Sequence, residues 1–134
     1  MATGTPDRPR SEELSESPGE RPVPELIDDR AAGMLRAVAE DEVVGYIQYL
    51  VLEAPEAALA PVHTIVDPGH EGHGIASALA AELYATAGRE GLAVAPLCPY
   101  VAQWAQRHPD RAAPASEELL EAARVKVAED PSLW

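Results

Sequence analysis

The sequence predicts a small α/β (α+β) domain on a mostly antiparallel sheet, with one long and one short helix. Three observations carry that prediction. Segments of aliphatic and β-branched residues recur before Asp67, separated by short acidic or proline-containing stretches. A glycine-rich turn then leads into Ile75, Leu79 and Leu83, which recur with Ala78 and Ala87 at helical spacing. Finally, the segment "LAVAPLC" runs into a second, shorter helical stripe of Val101, Trp104 and Ala105. At 134 residues and 46% apolar the chain can bury one core, and with no phenylalanine that core rests on Leu, Val and Ile.

Residues 1–24 are dense in proline, serine and acids and lack apolar periodicity, which predicts a disordered arm. "GMLRAVA" and "EVVGYIQYLVLE" read as two strands joined by a turn at Glu40–Glu42. The second is apolar on both faces, as a central strand should be. "EAPEAALAP" reads as a loop or at most a poor strand, and Val62–Val66 as a third strand closed by Asp67-Pro68-Gly69. The long helix ends at Gly91, with Arg89 in its last turn. "LAVAPLC" is the fourth strand. Pro99 suits the first turn of the short helix, which His108-Pro109 stops. Ser116 can cap an extra C-terminal helix with a marginal apolar face at Leu119, Leu120 and Ala123. The expected order is β-β-β-α-β-α, the domain occupying 25–110 and a partly helical extension 111–134.

The net charge of −13, with Lys126 the only lysine, would repel a phosphate backbone and argues against nucleic acid as a partner. It favours approach of a cationic substrate, though most of it solvates the surface. The single cysteine, Cys98, precludes an internal disulfide and fits a reducing compartment. No apolar run reaches membrane-spanning length, and the N-terminus lacks the apolar stretch of a secretory signal. The expected location is the cytoplasm, away from any membrane.

The chemistry concentrates in "VDPGHEGHGIASALAAEL", beginning at Val66. Backbone N–H groups at a helix start, approached through glycines, form a cradle for an anion. A P-loop would need a lysine after the glycines, and none is in reach. A dinucleotide fingerprint would open the first βαβ unit, whereas this loop follows antiparallel-looking strands. His70 and His73 form one pair of potential ligands where structural zinc ordinarily takes two, so no metal is expected.

A third pattern matches better. Glu71-Gly72-His73-Gly74-Ile75-Ala76 fits Gln/Arg-x-x-Gly-x-Gly/Ala except at its first position. With "HTIV" before the loop, "PLCPYV" on the next strand and "RHPD" after the short helix, the chain resembles the short yjdJ-type branch of the GNAT superfamily of acyl-CoA-dependent N-acyltransferases. The resemblance runs from roughly Met34 to Asp110. It implies a reduced GNAT fold that holds acetyl-CoA between two splayed strands. It also implies transfer of the acetyl group to an amine. Backbone groups of Gly72, His73, Gly74, Ile75, Ala76 and Ser77 would bind the pyrophosphate, and those of Ile65 and Val66 the pantetheine arm. The same resemblance points to His63 and Cys98 as the active-site pair and to Tyr100 as the proton donor to the leaving thiolate. Cys98 falls at the start of the short helix, where the helix dipole favours a thiolate. Glu71 departs from the pattern. A carboxylate facing a pyrophosphate is repulsive, so Glu71 is expected to point to solvent while backbone N–H groups carry the binding. Direct attack by the amine and passage through an acetylated Cys98 both stay open. So does a non-catalytic reading, a CoA-binding sensor or a protein-interaction module.

Overall fold

A computed structural model describes residues 24–70 and 74–130. Its sheet has five strands in chain order: β1 (Glu25–Asp29), β2 (Met34–Ala39), β3 (Glu42–Leu52), β4 (Ala58–Val66) and β5 (Ala93–Val94). The first four are antiparallel neighbours, and β5 joins β4 in parallel. Helix α1 (Ile75–Glu90) makes the crossover from β4 to β5, followed by α2 (Pro99–Arg107) and α3 (Glu117–Ala128). The expected α/β class, the long and short helices and the extra C-terminal helix are all present. The arm expected over 1–24 lies outside the described residues apart from Pro24.

Three element boundaries differ from expectation. Strand β1 precedes the first expected strand. "ELIDD" has only two apolar residues because it is an edge strand, paired to β2 alone and largely exposed. Its acids suit an unpaired edge, which charge keeps from pairing with other chains. Strand β4 begins at Ala58, inside the segment read as a loop; Ala58, Leu59, Ala60 and Pro61 are all buried. Alanine and proline carry weak strand signals, and burial overrides them here. Strand β5 is only two residues long. Beyond Val94 the chain still feeds N–H groups to β4, from Ala95 to Leu59 O (2.8 Å) and from Leu97 and Cys98 to Pro61 O (3.1 and 2.9 Å).

The β2–β3 turn is tight. Ala39 pairs with Glu42, and Glu40 and Asp41 between them have φ of 54° and 69°. Two consecutive left-handed residues suit a two-residue hairpin, which favours Asn-Gly. Glutamate and aspartate pay for that conformation in strain, so replacing Glu40-Asp41 by Asn-Gly should stabilise the fold by ~1 kcal/mol or more. A rise in the urea midpoint at constant slope is the check. A fall would show that Glu40 or Asp41 makes a contact the turn needs.

Each sheet face has its own core. On one, Leu35, Ile47 and Leu59 pack beneath Leu79 and Leu83 of α1 and Val101 and Trp104 of α2. On the other, Leu119 and Ala123 of α3 pack over Leu52, Ala58, Ala60 and Ala95, with Val127 over Val62. Ser116 caps α3 as expected, its hydroxyl accepting from the Leu119 N–H (3.1 Å). Helix α1 ends where predicted, at Gly91 (φ 72°), with the Leu92 N–H returning to Ala87 O (2.8 Å). Arg30, in the β1–β2 turn, ties that end down. Its guanidinium donates to both oxygens of Glu90 (2.9 and 3.1 Å), to Asp28 (3.1 Å) and to the Tyr49 hydroxyl (3.0 Å). The Arg30 guanidinium holds the Glu90 carboxyl below its ordinary value. No helix among the described residues is long and apolar enough to cross a membrane.

Candidate functional site

The site lies where the sheet opens between β4 and β5. Up to Pro61 the two segments exchange hydrogen bonds; at Cys98 the chain turns away into α2, while β4 continues to Val66. In an antiparallel ladder, main-chain groups point alternately at one neighbour and at the other. The Asp67 N–H donates to Val44 O (2.8 Å), so Ile65 and His63 also turn toward β3, where they pair with Tyr46 and Gln48. Thr64 and Val66 therefore turn their N–H and C=O groups to the edge that β5 has left. Val66, expected to bind the pantetheine arm, therefore turns its backbone to the opening. The backbone of Ile65 is committed to β3, and its side chain is 48% exposed.

The same sheet end receives the start of α1. Asp67 accepts from the Gly69 N–H (2.9 Å), and a short 3₁₀ turn spans Pro68–His70. Gly72 and His73, along with Glu71, lie outside the described residues. Gly74 is the N-cap, with φ 79° and ψ 10°, and no side chain caps the helix. A Cβ on Gly74 would meet no described residue within 4 Å, so backbone conformation, with φ 79°, calls for glycine here. The first helical bond runs from the Ala78 N–H to Gly74 O (3.0 Å), leaving the N–H groups of Ile75, Ala76 and Ser77 ahead of it. The Ser77 hydroxyl oxygen accepts from Trp104 Nε1–H (2.9 Å), which links the first turn of α1 to α2.

Gly45 sets how close that helix start comes. It pairs with Val66, and a Cβ there would lie 3.1 Å from both Ile75 Cγ2 and Ile65 O. A glycine inside a strand marks such a close approach.

Cys98 is the N-cap of α2, with Pro99 at the first helical position, as the sequence predicts. Its side chain is 4% exposed, and its Sγ lies 3.2 Å from Thr64 Oγ1. Thr64 shares the α1 face with Ile47, its cross-strand partner. A one-residue bulge at Val62 precedes His63, which sits across from Gln48 on the opposite face. The thiol is in contact with Thr64, next in sequence to His63. Tyr100, in the first turn of α2, is half-buried against the α1-side core. His108 ends α2, its Nδ1 2.8 Å from Trp104 O and its ring stacked on Trp104. Among the described residues no three His, Cys, Asp or Glu side chains are grouped to hold a metal ion.

Thr64 and Gly45 were not singled out from the sequence. A threonine inside "HTIV" reads as a strand former, and only the fold brings it to a cysteine 34 positions away. Gly45 did carry a signal, an isolated glycine in an otherwise apolar strand.

Residues 35–113 match the model of a family described as GCN5-related N-acetyl-transferase. No curated protein matches the chain. Among solved structures, the chain is similar to a ribosomal-protein-alanine N-acetyltransferase from Brucella melitensis biovar Abortus 2308, at 26% identity and a TM-score of 0.49. That match covers 62% of this chain and 62% of the other, less than two thirds of its length.

Proposed function

Since the chain belongs to the GCN5-related N-acetyltransferase family, as the match over residues 35–113 shows, we propose that it binds acetyl-CoA at the open edge of β4 and transfers the acetyl group to an amine. The observation that carries this reading is the orientation of Thr64 and Val66, whose backbone groups face the edge left by β5 beside the starts of α1 and α2. The pantetheine arm would add to this edge as a further strand does, and one N–H would polarise the thioester carbonyl. The uncapped N–H groups of Ile75, Ala76 and Ser77, with Gly72, His73 and Gly74 before them, would take the pyrophosphate.

The amine nitrogen attacks the thioester carbonyl, the C–S bond breaks, and CoA leaves as a thiol that takes up a proton. Tyr100, in the first turn of α2, is the proposed donor of that proton, and His63 or a water is the base that relieves the amine of its own. The alternative route first acetylates Cys98, whose Sγ touches Thr64. Thr64 would then orient the sulfur toward the edge where the thioester lies. Resemblance to the yjdJ-type branch and a cytoplasmic location belong to the same reading, as does an acceptor drawn in by the acidic surface.

The test combines binding and chemistry. Acetyl-CoA at about a hundred times its dissociation constant should stabilise the fold by ~2.7 kcal/mol, read as a rise in melting temperature. Gly74→Asn tolerates the left-handed backbone yet puts a side chain at the helix start, where the pyrophosphate would lie, so it should fold and lose the rise. Gly74→Val should lose the rise and also some stability, through strain at positive φ. Thiol release that depends on an added amine, with the acetylated amine found by mass spectrometry, shows transfer. An unchanged melting temperature at millimolar acetyl-CoA would sink the binding reading. Binding without any thiol release would leave a CoA-binding module and overturn the enzyme.

A further inference from the structure

Residues of α1 and α2, with the loop into α3, line a pocket of about 370 Å³ that opens to solvent on one side. Its wall includes Pro96, Ala102, Ala105, Ala112, Pro114 and Leu120. Tyr84 also lines this space, and a second cavity of about 180 Å³ adjoins the same residue.

Tyr84 is 8% exposed and stacks on Trp104 at 5.8 Å. Its hydroxyl has no hydrogen-bond partner among the described residues; burial alone acts on it and pushes the phenol up to about 12. Buried tyrosine hydroxyls ordinarily find a partner. Near neutral pH this one is an uncharged phenol able both to donate and to accept.

We propose that this cavity is a binding site for a small, uncharged, largely apolar molecule whose single hydrogen-bonding group meets the Tyr84 hydroxyl. The size follows from the volume, since an apolar cavity of ~150 Å³ accepts benzene and this one has room for a substituted ring. The lining residues, apolar but for Tyr84 and Gln106, offer no counter-charge to a charged ligand. Tyr84 stands ten residues of α1, or about 15 Å of helix, from Gly74 at the start of that helix. The site does not depend on the acetyl-transfer reading.

The test uses the full chain with 4-ethylphenol and ethylbenzene, followed by amide chemical shifts. Both probes should give saturable shifts at Tyr84, Ala105 and Ala112. Tyr84→Phe keeps the ring and removes the hydroxyl. It should weaken 4-ethylphenol by about fivefold or more, as loss of one hydrogen bond does, while ethylbenzene holds its affinity. Ala105→Leu or Ala112→Val, whichever keeps a native amide spectrum, should abolish both by filling the space. No saturable shift with either probe overturns the site. An unchanged 4-ethylphenol affinity in Tyr84→Phe overturns the role of the hydroxyl and with it the ligand class.

Discussion

Val66→Pro should leave the fold standing and cut kcat/KM for acetyl transfer by about 10²-fold or more. Proline removes a single N–H and fixes φ near a value an extended strand tolerates. At Val66 that N–H belongs to no ladder bond with β3, because the Gly45↔Val66 pair turns its main-chain groups outward. The backbone change alone should therefore cost little, and losing the Val66 side chain, packed against the α1-side core, should add about 1 kcal/mol. The catalytic loss follows from the proposed role. A donor aimed at a developing oxyanion is worth roughly 10²–10³ in rate, and one holding a pantetheine amide is worth less and acts on binding. A fall in kcat at constant acetyl-CoA affinity assigns the Val66 N–H to the carbonyl. A fall in affinity alone assigns it to the pantetheine arm.

The neighbouring position supplies the control. Ile65 exchanges its main-chain bonds with Tyr46 on β3, so Ile65→Pro breaks the ladder at the heart of the sheet. It should cost ~3 kcal/mol or more, visible as a collapse of the urea midpoint. If Ile65→Pro were harmless and Val66→Pro unfolded the chain, the alternation along β4 would be the reverse of the one described. If Val66→Pro folded and worked as the parent does, the open edge would not hold the acyl donor.

The alternation that separates Ile65 from Val66 shows where sequence reading runs out. Strand β3 was legible because both its faces are apolar, and α1 because Gly91 marks its end with a left-handed residue. The first half of β4 was hidden in alanines and Pro61, whose burial comes from α3 on one side and the α1 core on the other. The position of Gly74 at a helix start could be read from local spacing. Which strand residues face the opening could not, because it depends on the bulge at Val62 and on where β5 departs. The Thr64–Cys98 contact is of the same kind, since two strand ends meet only after the crossover through α1 is complete. Gly72 and His73 were expected from the motif and lie outside the described residues.

Trp104 links the open edge to the rest of the molecule, and Trp104→Ala should be the most destabilising single change. The side chain is 1% exposed. Its ring stacks on Tyr84 and, at 4.1 Å, on His108, while the Arg111 guanidinium sits 5.4 Å over it. Its indole N–H donates to Ser77 in the first turn of α1. Removing a buried tryptophan ordinarily costs ~3–5 kcal/mol, and a domain of this size has only about 5–15 kcal/mol to lose. The alanine variant should therefore sit near its unfolding transition at 37 °C, shown by a large drop in urea midpoint. Trp104→Phe separates packing from the hydrogen bond. It keeps an aromatic ring between Tyr84 and His108 but cannot reach Ser77 with a donor, so its stability loss should be much the smaller. Its acetyl-CoA affinity should nonetheless fall, because Ser77 carries one of the three uncapped N–H groups and loses the contact that anchors it. A loss below ~1 kcal/mol in Trp104→Ala would mean that α2 is not part of the cooperative core. An unchanged acetyl-CoA affinity in Trp104→Phe would show that the start of α1 is positioned by Gly45 and Ile75 alone.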